Sequence, residues 1–213
     1  MSLRSTTQGN SHFIEYLGVK ALRSTHPGVR RLKRLQQGRN SAHGNKVWRS
    51  SFVLMDYLTT YPPVSGSEVL DIGCGWGLTG LFLAKNFQAK VTGIDIDAGV
   101  APFMALQSMV NQTKMLFAAR GFESMTTEEL ASFETIIGTD ICFWDDMTQP
   151  LFDFIALALK SGVERIIFAD PGRPPFWDLV DSCISSFVNA EVVVRRIYEP
   201  WKTEKFILVI SKA

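Results

Sequence analysis

At 213 residues the chain is long enough for one domain with a sizeable core, and its 46% hydrophobic and 20% charged residues exclude a disordered or collagen-like chain. Cys74, Cys142 and Cys183 are odd in number and far apart, and no run of about 18 uncharged apolar residues occurs, so neither a disulfide framework nor a membrane span is expected. The net charge of +1 hides an asymmetry: residues 1–49 hold ten Lys/Arg and one acid, Glu15, whereas residues 50–213 hold twelve basic and twenty acidic side chains.

The polar N-terminus, with no apolar stretch, and the unpaired thiols point to a cytoplasmic protein. Residues 1–45 read as a basic N-terminal arm, which either recruits an acidic partner or nucleic acid or folds back on the acidic body. Within it, residues 30–35 suggest a basic helix anchored by Leu32 and Leu35, and His12, His26 and His43 are too dispersed to suggest a metal site. In the segment 47–58, Val47, Phe52, Met55 and Leu58 recur at helical spacing, and Tyr61-Pro62-Pro63 ends the helix. Short β-rich runs then alternate with helical patterns. Strands are expected at 68–72, 90–95, 115–118, 135–138 and 165–169, with helices at 78–86, 100–110, 150–160 and 176–187. Two further β-rich runs, 191–198 and 205–211, have no helix between them and suggest a closing antiparallel hairpin.

Residues 69–77 carry the main functional signal: a buried-type strand runs into Gly73-Cys74-Gly75-Trp76-Gly77 and then a helix, so a ligand can lie against the chain at the carboxyl edge of the sheet. The second strand ends at Asp95, where a carboxylate can accept from both hydroxyls of a ribose. A nucleoside-containing cofactor follows. Residues 75–80 also satisfy G-x-G-x-x-G, the dinucleotide pattern, but Asp71 would be a poor neighbour for a pyrophosphate and a good one for the ammonium and sulfonium of S-adenosyl-L-methionine. That cofactor is favoured over NAD.

These residues resemble the class I (seven-stranded) S-adenosylmethionine-dependent methyltransferases over about residues 44–213. Lys46-Val47-Trp48 before the helix, and Gly138-Thr139-Asp140-Ile141-Cys142-Phe143 after the fourth strand, are similar to methyltransferase family 16, which contains many protein lysine methyltransferases. The resemblance implies an α/β, Rossmann-like, mostly parallel seven-stranded sheet with an antiparallel last strand, spanning 46–213 as one domain. It also implies that Trp48 contacts the cofactor, that Phe122 stacks on adenine, and that Asp140, with Phe143 in the D-x-x-F pattern, orients an acceptor nitrogen. The expected site is therefore Asp140 and Phe143 for transfer, with Trp48, Asp71, Gly73, Gly75, Gly77, Asp95 and Phe122 for the cofactor. Trp144 either adds a ring to the acceptor site or packs elsewhere. The expected acceptor is an amine, foremost a protein lysine in an acidic partner, with a small-molecule amine as the alternative. Base methylation in nucleic acid is disfavoured, because the fourth strand lacks N-P-P-Y or D-P-P-Y. The sequence Asp170-Pro171-Gly172-Arg173-Pro174-Pro175 follows the fifth strand instead, either presenting Arg173 to an acidic group or leaving it exposed on a turn. An NAD-dependent oxidoreductase and a non-catalytic binding protein on the same fold stay open.

Overall fold

The computed structural model describes residues 12–36 and 46–212. The elements follow in chain order: β1 (Phe13–Tyr16), β2 (Val19–Leu22), α1 (Pro27–Leu35), α2 (Arg49–Thr60), β3 (Glu68–Ile72), α3 (Leu78–Phe87), β4 (Lys90–Asp95), α4 (Ala101–Asn111), β5 (Leu116–Ala119), α5 (Thr127–Leu130), β6 (Thr135–Thr139), α6 (Thr148–Ser161), β7 (Arg165–Asp170), α7 (Pro174–Ser186), β8 (Ala190–Ile197) and β9 (Thr203–Ser211). The seven-stranded sheet has the order β5-β4-β3-β6-β7-β9-β8. Strands β3 to β7 are parallel, and β9 runs antiparallel between β7 and β8. The expected doubly wound sheet with an antiparallel last strand is therefore present.

Side-chain alternation assigns each strand residue to a face. Val69, Val91, Ile137, Ile167 and Val209 join a core with α2 and α3 on one side. Their neighbours Leu70, Ile136, Ile166 and Leu208 join a second core with α6 and α7 on the other. Both faces are covered, which is why consecutive residues such as Val69-Leu70, Ile136-Ile137 and Ile166-Ile167 are apolar in the central strands. Strand β3 pairs with β4 on one side and β6 on the other. The reversal of strand order beside β3 opens a crevice at the carboxyl ends of these strands.

The basic head differs from an extended arm. Tyr16, Leu17, Val19 and Ala21 of the β1–β2 hairpin are buried in the same core as α2 and α3. The backbone of β2 is held by side chains of α4: Lys20 N–H donates to Asn111 Oδ1 at 2.7 Å, Asn111 Nδ2 donates to the Lys20 carbonyl at 2.9 Å, and Leu22 N–H donates to Gln107 Oε1 at 3.0 Å. These amides stand in for a neighbouring strand, so the described part of the head is packed onto the sheet domain rather than extended from it. Helix α1 is anchored through buried Val29 and half-buried Leu32, while Leu35 is exposed. Residues 1–11 and 37–45 of the expected arm, including His43, lie outside the described residues. Helix α2 is not amphipathic in place. Ser50 to Met55, Tyr57 and Leu58 are all buried, because the sheet, α3 and Tyr16 of the hairpin pack around the helix. Among the described residues, no helix is long and apolar enough to cross a membrane.

Candidate functional site

At the end of β3 the chain turns through Gly73, Gly75 and Gly77, all at positive φ, and α3 starts at Leu78. A side chain on Gly75 (φ +52°) would enter open space, with no atom within 4 Å of an added Cβ. The backbone there is bare toward a cavity. Gly77 serves the packing of the loop instead, since an added Cβ would lie 2.8 Å from Met115 Sδ and 2.9 Å from Met104 Cγ. Its missing side chain makes room for the two methionines.

Asp95 at the end of β4 fastens the loop. Its Oδ2 accepts from Gly75 N–H and its Oδ1 from Asp97 N–H, both at 2.9 Å. Burial pushes its carboxyl above the usual range, and these two amide bonds oppose that rise. A carboxylate has about four lone-pair sites, so two remain for hydroxyl donors. Asp71 sits elsewhere. It is buried behind the loop, accepts from the Gly80 N–H in α3, and does not line the cavity; burial pushes its carboxyl up to about 7. Asp71 thus braces the start of α3 instead of facing a ligand cation.

A cavity of about 220 Å3 opens at these carboxyl ends, with Gly73, Gly75, Asp95, Phe122, Asp140, Phe143 and Trp48 among its lining residues. The structure therefore brings together seven of the nine expected site residues and leaves out Asp71 and Gly77. Phe122 reaches the cavity while packing edge-on against Phe154, their ring centroids 5.3 Å apart. Ile96, 84% exposed and next to Asp95, also lines the cavity. Its signal in the sequence was a bulky apolar residue directly after the ribose-type acid. Trp144 lines this cavity as well, with its ring centroid 5.7 Å from that of Phe143.

A second cavity of about 780 Å3 shares Lys46, Trp48 and Asp140 with the first and extends along the N-terminus of α2. Asp140 holds the junction. It is buried at a positive φ of 55°, and its N–H donates to the Ala169 carbonyl of β7 at 2.9 Å, which fixes the turn after β6. Its Oδ1 accepts from Arg173 Nη2 at 3.0 Å, while Oδ2 is buried with no partner among the described residues. Arg173 Nη1 also donates to Asp170 Oδ2 at 2.6 Å, and the guanidinium lies 4.2 Å from the Phe143 ring centroid. The Arg173 side chain is only 21% exposed. It is clamped between two carboxylates over an aromatic ring, which neither an exposed turn residue nor a free anion hook would be. Ser51 and Thr139 share a hydroxyl hydrogen bond of 3.2 Å that ties the start of α2 to the end of β6.

A family model described as a methyltransferase domain matches residues 69–162, from β3 through α6. The chain is similar to the ubiquinone biosynthesis O-methyltransferase of Xylella fastidiosa, 28% identical over 147 residues that cover 67% of this chain and 55% of the relative. It is also similar to the electron transfer flavoprotein beta subunit lysine methyltransferase of Xenopus laevis, 27% identical over 131 residues that cover 61% and 52% of the two chains. The chain spans about half the length of these curated relatives. Among solved structures, a methyltransferase from Pyrococcus furiosus superimposes with a TM-score of 0.61 at 13% identity, covering 87% of this chain and 96% of that one. The magnesium protoporphyrin IX methyltransferase of Synechocystis, with bound S-adenosylhomocysteine, gives 0.57 at 15% identity, covering 89% and 96%. The fold is that of the class I methyltransferases.

Proposed function

We infer, from a methyltransferase domain over residues 69–162, that this chain binds S-adenosyl-L-methionine at the glycine loop and methylates an amine, foremost a protein lysine, leaving S-adenosyl-L-homocysteine. The cofactor fits the residues present: Gly75 leaves bare backbone toward the cavity, Asp95 offers free lone pairs for ribose hydroxyls, and Ile96 and Phe122 offer apolar walls for adenine. When bound, it supplies an electrophilic methyl carbon on a sulfonium. The single observation that carries the acceptor assignment is Asp140 Oδ2, a buried carboxylate oxygen with no partner among the described residues, on a residue shared by both cavities. Such an atom calls for a donor, and an amine N–H provides one.

The chain's own residues then divide the work. Arg173 holds Asp140 Oδ1, which leaves Oδ2 to accept from the acceptor nitrogen and aim its lone pair. Trp48 and Phe143, with ring centroids 5.5 Å apart, form an aromatic wall that excludes water and leaves the acceptor's hydrocarbon stem in apolar contact. Lys46, whose ammonium lies 4.1 Å from the Trp48 ring centroid, and Arg173 are fixed cations beside the site. The Arg173 charge is balanced by Asp140 and Asp170, so the Lys46 charge and burial against the aromatic wall are what favour the neutral nucleophile over the ammonium. The likeness to family 16 and to a lysine methyltransferase supports nitrogen as the acceptor.

The test is Asp140→Asn, which keeps volume but presents an amide in place of a carboxylate. Methyl transfer from radiolabelled cofactor should fall roughly a hundred-fold, as when a positioned electrostatic group is lost, with S-adenosylhomocysteine affinity within a few-fold of wild type. Label recovered as an ester or ether instead of methyllysine, or full turnover in Asp140→Asn, contradicts the assignment.

A further inference from the structure

The larger cavity carries an excess of positive charge. Arg23, Lys46, Arg49, Arg173 and Lys205 line it, and the one carboxylate among its lining residues, Asp140, is already bound to Arg173. Among the described residues no carboxylate pairs with Arg23, Lys46, Arg49 or Lys205. The cavity also receives the start of α2, where Trp48 gives no side-chain cap and the first turn contains no acidic residue, so the positive end of the helix dipole is not neutralised there.

A second observation is independent of charge. Of the four buried side-chain polar atoms without a partner among the described residues, three belong to residues that line this cavity: Ser50 Oγ, Asp140 Oδ2 and Trp201 Nε1. Buried polar groups are nearly always satisfied, so their concentration at one place marks a site that a ligand completes. Two of the three, the serine hydroxyl and the indole N–H, can donate, and Ser50 lies in the first turn of α2 beside Arg49. Donors and cations around one cavity, with an acceptor at Asp140, describe a ligand that carries anions and an N–H group together.

We propose that this cavity binds the carboxylates flanking the target lysine, with Arg23, Arg49 and Lys205 as the specificity-determining residues, so that the substrate is an acidic segment of a protein. The proposal rests on the amine reading above and adds the acceptor's chemical surroundings. A protein segment is favoured over nucleic acid because the body around the cavity carries a net negative charge. Residues 50–213, which form most of the surrounding body, hold twenty acidic against twelve basic side chains and oppose a long phosphate backbone. A volume of about 780 Å3 lies within the range of sites that enclose a whole small ligand, so it holds a side chain with its immediate neighbours. Three of the five cations, Arg23, Lys46 and Arg49, come from the basic residues 1–49, so part of that segment's charge lines the cavity.

The experiment uses the full chain with bound S-adenosylhomocysteine and two labelled peptides, one with a single lysine between runs of glutamate and its glutamine counterpart, with a single-stranded oligonucleotide as third probe. The glutamate peptide should bind about tenfold tighter than the glutamine peptide at low salt, and the difference should shrink as salt is added. Arg49→Glu or Lys205→Glu should abolish the preference, with Arg49→Gln and Lys205→Gln as milder variants if either reversal harms folding. Equal binding of the two peptides, or tighter binding of the oligonucleotide through the same residues, overturns the proposal. The two readings fail separately. Charge-selective binding of a glutamate peptide that is never methylated keeps the anion site and removes the lysine assignment, whereas charge-blind methylation of both peptides does the reverse.

Discussion

Replacing Arg173 with Met tests how the site holds itself together. The guanidinium donates at 2.6 Å to Asp170 Oδ2 and at 3.0 Å to Asp140 Oδ1, and the two aspartate side chains are only 2% and 4% exposed. Removing one partner of a buried pair costs about 3 to 5 kcal/mol, because the remaining charge is left without compensation. Asp170 keeps two backbone donors, Gly172 N–H at 2.8 Å and Arg173 N–H at 2.9 Å, so the lower end, about 3 kcal/mol, is expected. For a chain of this length that corresponds to a fall in melting temperature of roughly 6 to 12 °C. The deficit should depend on pH in a definite direction. Burial already pushes the Asp170 carboxyl up despite the arginine, and without the arginine it rises further. A carboxyl whose native pKa exceeds its unfolded value destabilises the fold above that native pKa and is relieved by protonation below it. Thermal melts of Arg173→Met should therefore lie furthest from wild type at pH 8 and approach it on acidification toward about pH 5. Arg173→Lys, which keeps the charge but loses the fork, should fall between. A variant that melts with wild type at pH 8, or whose deficit grows on acidification, would refute the clamp.

The buried Asp71 predicts a second pH effect. Its carboxyl is about 7 in the fold against an ordinary 3.8, so native protein retains a proton that unfolded chain has lost, and stability should decline between about pH 4 and pH 7 by up to about 4 kcal/mol. Asp71→Asn, which still accepts from Gly80 N–H, should flatten that decline in urea titrations; an unchanged slope would count against the assignment. Asn111→Ala removes both amide bonds to Lys20 and should cost about 1 to 3 kcal/mol, with faster proteolytic cleavage in the hairpin; wild-type protection there would show that the amides do not anchor it.

Much of this architecture is legible in the sequence, for identifiable reasons. Strands β3 and β4 fall at the expected residues because Val69 and Leu70, and Val91 and Ile94, put apolar side chains on both faces of the sheet, and Gly73 or the acid Asp95 marks where each ends. Gly75 and Asp95 are legible together because the ligand edge of the sheet imposes their spacing. The hairpin is not, since four-residue strands carry little pattern and the amides that hold β2 lie 85 and 91 residues away in the chain. The Arg173 clamp is hidden for the same reason: its link to Asp140 spans 33 residues, and local sequence shows only a proline-rich turn. Asp71 and Gly77 sit beside cavity-lining residues in the motif but do not line the cavity: Asp71 is buried, and Gly77 faces Met104 and Met115. A motif identifies the loop; which of its members line the cavity follows from packing.

The central claim is that Gly75 and Asp95 build a seat for an S-adenosyl nucleoside, distinct from the acceptor position at Asp140. Calorimetric titration of S-adenosylhomocysteine into wild type, Asp95→Ala and Asp140→Asn tests it most directly, with NAD as the competing ligand. Loss of the Asp95 carboxylate removes charge-assisted bonds to the ribose, so affinity should drop about ten- to a hundred-fold in a variant that remains folded, while Asp140→Asn stays within a few-fold of wild type and NAD gives no heat. Undiminished affinity in folded Asp95→Ala, or NAD binding that S-adenosylhomocysteine cannot displace, would contradict the account.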